Sequence, residues 1–265
     1  METAHDESQN GGDLPGAEKE DRVALVTGAA SGIGRATARL FGGDGVRVGC
    51  FDVDAAGVEE TAAAIRADGG DALVIEGDVS NEVDAKAAVL TTLERYGAID
   101  VLANVAGVGH FRHSTEESLD DWNRIVGINL TGTFLMCQNA IPALIERRGA
   151  IVNVASISGL GGHPYAAAYG ASKAGVIALT KTLAAEYAAA GLRVNAVAPG
   201  GVLTPILESF TPPEDSDDQL MGRAVPLNGL FVEPEEVARA IAFLASDTMP
   251  NTTGTVLVID GATTA

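Results

Sequence analysis

The stretch Val23-Ala24-Leu25-Val26-Thr27-Gly28-Ala29-Ala30-Ser31-Gly32-Ile33-Gly34 changes character halfway along. Its first five residues are apolar or β-branched and read as a buried strand. Glycines then fall at 28, 32 and 34, and an Ala-rich helical pattern runs from Ile33 to Phe41. Gly28 permits a tight turn, Gly32 a close backbone approach to a ligand, and Gly34 close packing of helix on strand. A helix that starts at such a turn presents unpaired N–H groups and a partial positive charge to an anion. Gly45 to Phe51 reads as the next strand, and Asp52 closes it eighteen residues after Gly34 (52−34). A carboxylate there can accept hydrogen bonds from ribose hydroxyls. Strand, glycine turn, helix and distal acid together predict a dinucleotide site, with Gly28, Ser31, Gly32, Ile33, Gly34 and Asp52 as its contacts.

The pattern repeats outward from this unit. Helices are expected over Ala55 to Ala67, from Ser80 as cap to Tyr96, from Ser118 through Ile145, over Ala167 to Ala190 and over Pro234 to Ala245. Strands are expected at Ala72 to Ile75, Ile99 to Ala103, Ala150 to Ala155, Leu192 to Ala198 and Thr255 to Ile259. Pro142 should kink the long helix near its end. Such alternation gives an α/β fold: a single Rossmann-type doubly wound parallel sheet of seven strands with helices on both faces. One domain over 22–265 is expected. The long irregular segment falls after Gly200, and residues 205–228 have the features of a substrate lid.

Within the long helix at Ala167 to Ala190, Tyr169 and Lys173 share one face a turn apart. A phenol ordinarily holds its proton to about pH 10. An ammonium fixed beside it favours the phenolate, so the pair can pass a proton near neutral pH. Ser156 stands thirteen positions earlier (169−156), at the end of a strand.

The chain has 265 residues, 36 acids against 17 Lys and Arg, and a net charge of −19. That balance opposes nucleic acid and anionic membrane surfaces as partners. No uninterrupted apolar run is long enough to span a bilayer. Residues 1–21 carry seven acids, one Lys and no apolar leader, and read as a disordered acidic tail. Cys50 and Cys137 read as small buried hydrophobes in a reducing, cytoplasmic setting, not as a disulfide or metal site.

Taken in order, these motifs resemble the short-chain dehydrogenase/reductase family over roughly Arg22 to Gly261. The cofactor loop is Thr27 to Gly34, and Asp78-Val79 looks like the pair beside adenine. Asn104-Val105-Ala106-Gly107 resembles the Asn-Asn-Ala-Gly motif, with Val105 departing at a position that supports the sheet. Asn129, Ser156, Tyr169 and Lys173 match the family's active-site residues. Pro199-Gly200 with Val202 and Thr204 resembles the segment that holds the nicotinamide carboxamide.

The resemblance implies that Tyr169 is the general acid/base and that Ser156 stabilises charge on the substrate oxygen. Lys173 would lower the Tyr169 pKa and bind ribose, and Asn129 would anchor a water that links Lys173 to solvent. It also implies a homotetramer. Asp52 would repel a 2′-phosphate, and Ser31 stands where a basic residue could have reached one, so NAD is the expected cofactor.

The expected activity is interconversion of a secondary alcohol and a ketone on an apolar small molecule. Leu160, Ile206, Leu207, Phe210 and Leu230 are candidate pocket residues. His110 and His163 fall on loops at the carboxyl ends of strands, where ligands bind. Their spacing suggests no metal. Two alternatives stand beside this reading. One is an NADPH-dependent 3-oxoacyl-(acyl carrier protein) reductase, disfavoured because an acidic carrier would meet an acidic chain. The other is a non-catalytic NAD-binding sensor, disfavoured because Tyr169 and Lys173 are both present.

Overall fold

The computed structural model describes residues 21–222 and 225–265. The acidic tail therefore lies outside the described residues, except for Asp21. Seven strands form one sheet: β1 (Val23–Thr27), β2 (Arg47–Asp52), β3 (Ala72–Glu76), β4 (Val101–Asn104), β5 (Ala150–Val154), β6 (Arg193–Pro199) and β7 (Val256–Ile259). All pair in parallel, in the order β3-β2-β1-β4-β5-β6-β7. Every residue of β1, β4, β5 and β6 is buried, as expected of strands covered on both faces.

Side chains alternate between the two faces. On β1, Ala24 and Val26 face one apolar cluster, and Leu25 faces the other. The first cluster packs against α1 (Gly32–Gly43), α2 (Ala55–Ala67) and α9 (Pro234–Ala245). The second packs against α3 (Glu82–Tyr96), α5 (Thr133–Glu146) and α6 (Ala167–Tyr187). Burial of Cys50 and Cys137 in these clusters pushes both thiols up to about 12, so they behave as small apolar residues.

Two expectations about helices are corrected. The α3 cap is Asn81, whose side chain accepts from the N–H groups of Val83 and Asp84. Ser80 is not free to cap, because its N–H and hydroxyl both donate to Asp78 Oδ1 at 2.8 and 2.7 Å. Second, the helix that Ser118 caps is not one regular α-helix. It runs as α4 (Leu119–Val126), a widened π turn over Gly127–Gly132, and then α5. The π turn contains Asn129, and Pro142 lies further on, inside α5. π turns mark places where a side chain must be aimed off the helical period. Within Leu119–Glu146, an 18-residue window has the length and mean hydropathy, 1.2, of a membrane span. Half of that window is buried, and the stretch packs α4 against α6 and α5 against α3 and β4.

The sheet reverses strand order between β1 and β4, and the loops leaving these two strands diverge there. The turn after β1 needs its glycines. Gly28 adopts φ 69°, and a Cβ on Gly34 would overlap the Gly28 carbonyl. That overlap is with backbone, so it cannot be relieved by a rotamer change. Gly34→Ala is expected to cost about 1–3 kcal/mol. Thermal unfolding followed by circular dichroism should show a melting temperature lower by roughly 2–12 °C.

Candidate active site

One cleft of ≈ 780 Å³ opens at the switch point and joins the glycine turn to Tyr169. Its adenosine end is lined by Gly28, Ser31, Gly32, Ile33, Gly34, Asp52, Asp78 and Val79. No side chain caps the start of α1, so its first N–H groups are left for a ligand. Asp52 is held rigidly: Oδ2 accepts from Ala30 N at 2.9 Å and Oδ1 from Asp54 N at 3.0 Å. Arg35, the nearest cation in sequence, is turned away onto α2. Its guanidinium bonds Thr61 Oγ1 at 3.1 Å and Glu60 at 3.2 Å, and also the Ala30 carbonyl. The glycine turn, the uncapped helix start and the fixed carboxylate fit a dinucleotide.

The middle of the cleft is lined by Ala106, Gly107, Pro199, Gly200, Val202 and Thr204, as the sequence suggests. Asn104 is different. It is 4% exposed, and its amide donates to Asn153 Oδ1 at 2.9 Å and to Cys137 Sγ at 3.3 Å. It props β4 against β5 and does not line the cleft, because strand alternation turns it to the helical face. Val105, expected only to support the sheet, does line the cleft. Val53, Ile128, Met221 and Val225 line it as well. Of these, only Ile128 carried a signal, through its place beside Asn129.

At the reacting end, Ser156, Tyr169 and Lys173 converge. Ser156 follows β5 by two residues and caps a short turn by accepting from Ser158 N at 3.1 Å. That leaves its hydroxyl proton to donate into the cleft. Burial raises the pKa of the Tyr169 phenol, and a hydrogen bond with Ser156 partly offsets this. Lys173 is 3% exposed, and burial pulls it down to about 8. Its Nζ donates to the Val154 carbonyl at 2.7 Å and sits 5.8 Å from the Tyr169 ring centroid. Burial is thus the larger influence on the phenol, and the ammonium is anchored on β5 beside the ring.

Asn129 is fully buried and every side-chain atom is used. Its amide donates to the Val108 carbonyl at 2.8 Å and to Ser172 Oγ at 3.0 Å, and Oδ1 accepts from Val108 N at 2.8 Å. The side chain thus pins the loop after β4 to α6. Any water relay would have to use some other atom than this amide.

The far wall is apolar. Phe210 meets Tyr169 edge-on, with centroids 5.0 Å apart, and meets Phe111 at 4.9 Å. Ile206, Leu207, Met221 and Phe231 add to it. Leu160 and Leu230, both expected here, are instead 44% and 67% exposed and do not line the cleft. Their loops turn them outward. His110 is engaged by Glu117 at 3.0 Å, while His163 does line the cleft. Among the described residues of the 205–228 segment are two single-turn helices, α7 (Ile206–Ser209) and α8 (Asp218–Met221). It is tied down by Ser209 Oγ to the Gly109 carbonyl at 2.7 Å, His113 to Asp215 at 2.8 Å, and Asp217 N to Tyr165 Oη at 2.9 Å. Among the described residues, no cluster of three or more His, Cys, Asp or Glu could hold a metal.

Comparison with known proteins matches this architecture to a family. A family model described as enoyl-(acyl carrier protein) reductase covers residues 28–264. The chain is 40% identical to 3beta-hydroxysteroid dehydrogenase 1 of Eggerthella lenta, over 92% of this chain and 94% of that protein. It is 41% identical to a 3-oxoacyl-(acyl-carrier-protein) reductase of Thermotoga maritima, over 91% and 97%. The crystal structure of a 3-ketoacyl-(acyl-carrier-protein) reductase from Brucella melitensis complexed with NADH superposes with a TM-score of 0.83. It shares 36% identity, covering 93% of this chain and 99% of that one. The chain belongs to the short-chain dehydrogenase/reductase family. It is an oxidoreductase with the nicotinamide-dinucleotide site of that family.

Proposed function

We propose that this protein is an NAD-dependent dehydrogenase of apolar, alicyclic secondary alcohols, interconverting them with their ketones. The observation that carries this reading is a single cleft. A fixed carboxylate, Asp52, lies at its adenosine end, and Tyr169 with Ser156 lies under an aromatic wall at the other. The steroid substrate class in the Eggerthella lenta relative's name supports the alicyclic frame. The NADH in the Brucella melitensis structure supports the cofactor. An acyl-carrier substrate is disfavoured by the net charge of −19, which would repel an acidic carrier.

NAD, when bound, supplies the carbon that accepts hydride. The rest of the chemistry falls to the chain. Oxidation removes a hydride from the carbinol carbon and a proton from its oxygen. Tyr169 Oη takes that proton and returns it to solvent. Ser156 donates a hydrogen bond to the same oxygen and steadies it as charge shifts. Lys173 positions the ribose end and, while protonated, favours the phenolate. Asn129 holds α6 and the β4 loop in register so that these groups meet. The 205–228 segment acts as a lid that excludes water.

Three outcomes follow from these roles. Tyr169→Phe should lower kcat by about 10²–10⁴, while the Kd for NAD, measured by calorimetry, changes little. Because burial favours the protonated phenol, the form that gives a proton to a ketone predominates, and alcohol oxidation draws on the smaller phenolate fraction. Steady-state rates of oxidation should therefore rise with pH above neutral, and rates of reduction should fall. Cofactor choice is read by titrating both dinucleotides. A like charge against Asp52 should raise the KM for NADP at least about a hundredfold over that for NAD, and Asp52→Asn should narrow the gap. A KM for NADP at or below that for NAD would overturn the assignment.

A further inference from the structure

The aromatic wall does not end at Phe111. Phe111 stacks on His163 with centroids 5.1 Å apart and planes 12° apart, which fixes the imidazole plane. The imidazole Nδ1 lies 3.0 Å from the Pro164 carbonyl oxygen. A carbonyl can only accept, so Nδ1 carries the ring proton. In the neutral ring Nε2 is then a lone-pair acceptor. One face of the ring is covered by Phe111 and the Nδ1 edge is turned to its own backbone. That leaves Nε2 and the second ring face open to a ligand, and His163 lines the cleft.

Its position relative to the chemistry is set by the same stack. Tyr169, Phe210, Phe111 and His163 follow one another at centroid steps of 5.0, 4.9 and 5.1 Å. Two phenyl rings thus separate the proton-transfer group from the imidazole. Between them the wall is apolar, with Phe210 set edge-on to both neighbours, and suits a rigid hydrocarbon frame. Asp218 also lines the cleft and adds a second acceptor. Its neighbour Asp217 bonds Tyr165 through N–H at 2.9 Å, which brings this segment beside the turn that carries His163.

We propose that His163 is a specificity-determining residue, whose Nε2 accepts a hydrogen bond from a second hydroxyl on the far side of an alicyclic alcohol. The preferred substrate class is then an alicyclic diol or hydroxyketone, with an apolar frame between its two oxygens. This rests on the alcohol dehydrogenase reading above. It goes beyond it by giving the substrate a second polar group and naming the residue that reads it.

The test uses the full-length protein with NAD and two matched pairs of alcohols. The short pair is 1,4-cyclohexanediol and cyclohexanol. The long pair is 4,4′-bicyclohexanediol and 4-cyclohexylcyclohexanol. A symmetric diol has two reactive carbinols, so a factor of about two is statistical. A hydrogen bond to His163 should raise kcat/KM for the diol about tenfold in at least one pair, mainly through KM. In His163→Leu the ratio should collapse to the statistical factor. His163→Gln keeps an acceptor and should retain part of the preference. Comparing ratios removes any general loss of activity in a variant.

Wild-type ratios of two or less in both pairs would overturn the proposal while leaving the dehydrogenase reading intact. A preference that His163→Leu leaves unchanged would also overturn it. If none of the four alcohols is oxidised but a 3-oxoacyl thioester is reduced, the underlying reading fails and this proposal with it.

Discussion

Thr27 Oγ1 accepts from the backbone N–H groups of both Val105 and Ala106, at 3.0 and 3.1 Å. These bonds tie the exit of β1 to the exit of β4, the two strands at which the sheet reverses its order. Chain leaving a parallel strand must climb onto one face or the other. At a switch point the two neighbours climb apart and leave a crevice. The Thr27 bridge holds the floor of that crevice closed. The glycine turn lies on one side of it and the loop carrying Ala106 and Gly107 on the other. Without a fixed floor, neither the phosphate-facing helix start nor the Tyr169 end of the cleft would have a constant separation.

The reacting end is built from buried polar groups, each with a partner. Lys173 is nearly inaccessible, yet its Nζ has a carbonyl to donate to. Asn129 is wholly buried and has three hydrogen bonds. Buried groups of this kind are costly unless satisfied, and once satisfied they fix a single geometry. The π turn in the long helix is part of the same arrangement. It widens the helix where Asn129 must reach both the β4 loop and α6. The low Lys173 pKa and the raised Tyr169 pKa share one cause, removal from water, acting on groups of opposite charge type. The result favours a protonated phenol at rest, and alcohol oxidation draws on the smaller phenolate fraction.

Most of the architecture was legible in the chain. β-branched runs and Ala-rich helical runs have different periods, and α9 starts at its first-turn Pro234 while Asp54 caps α2. The glycine turn was legible because only glycine meets its steric demands at 28 and 34. Tyr169 and Lys173 were legible because one helix holds both. Other features were not. Asn104 reads as a cofactor contact until pairing in the sheet shows which way it faces. Leu160 and Leu230 read as pocket residues because hydrophobicity reports a preference for burial, not a location. The π turn leaves no periodic trace, since its cause lies in Val108 and Ser172, distant in sequence.

The sequence by itself determined what is local: the strand–turn–helix unit, the alternation that forces a parallel sheet, the Tyr169/Lys173 pair and the acid at Asp52. Helical and strand periods, glycine sterics and i, i+4 geometry act over a few residues and need no knowledge of the rest of the chain. The tertiary structure alone decided what depends on distant segments meeting. It set the direction of the Tyr169 and Lys173 pKa shifts, because desolvation is a property of the packed site. It turned Arg35 away from the cofactor end through contacts with Glu60 and Thr61. It also placed Phe210, Phe111 and His163 in one row of touching rings, from three segments that the sequence leaves unconnected.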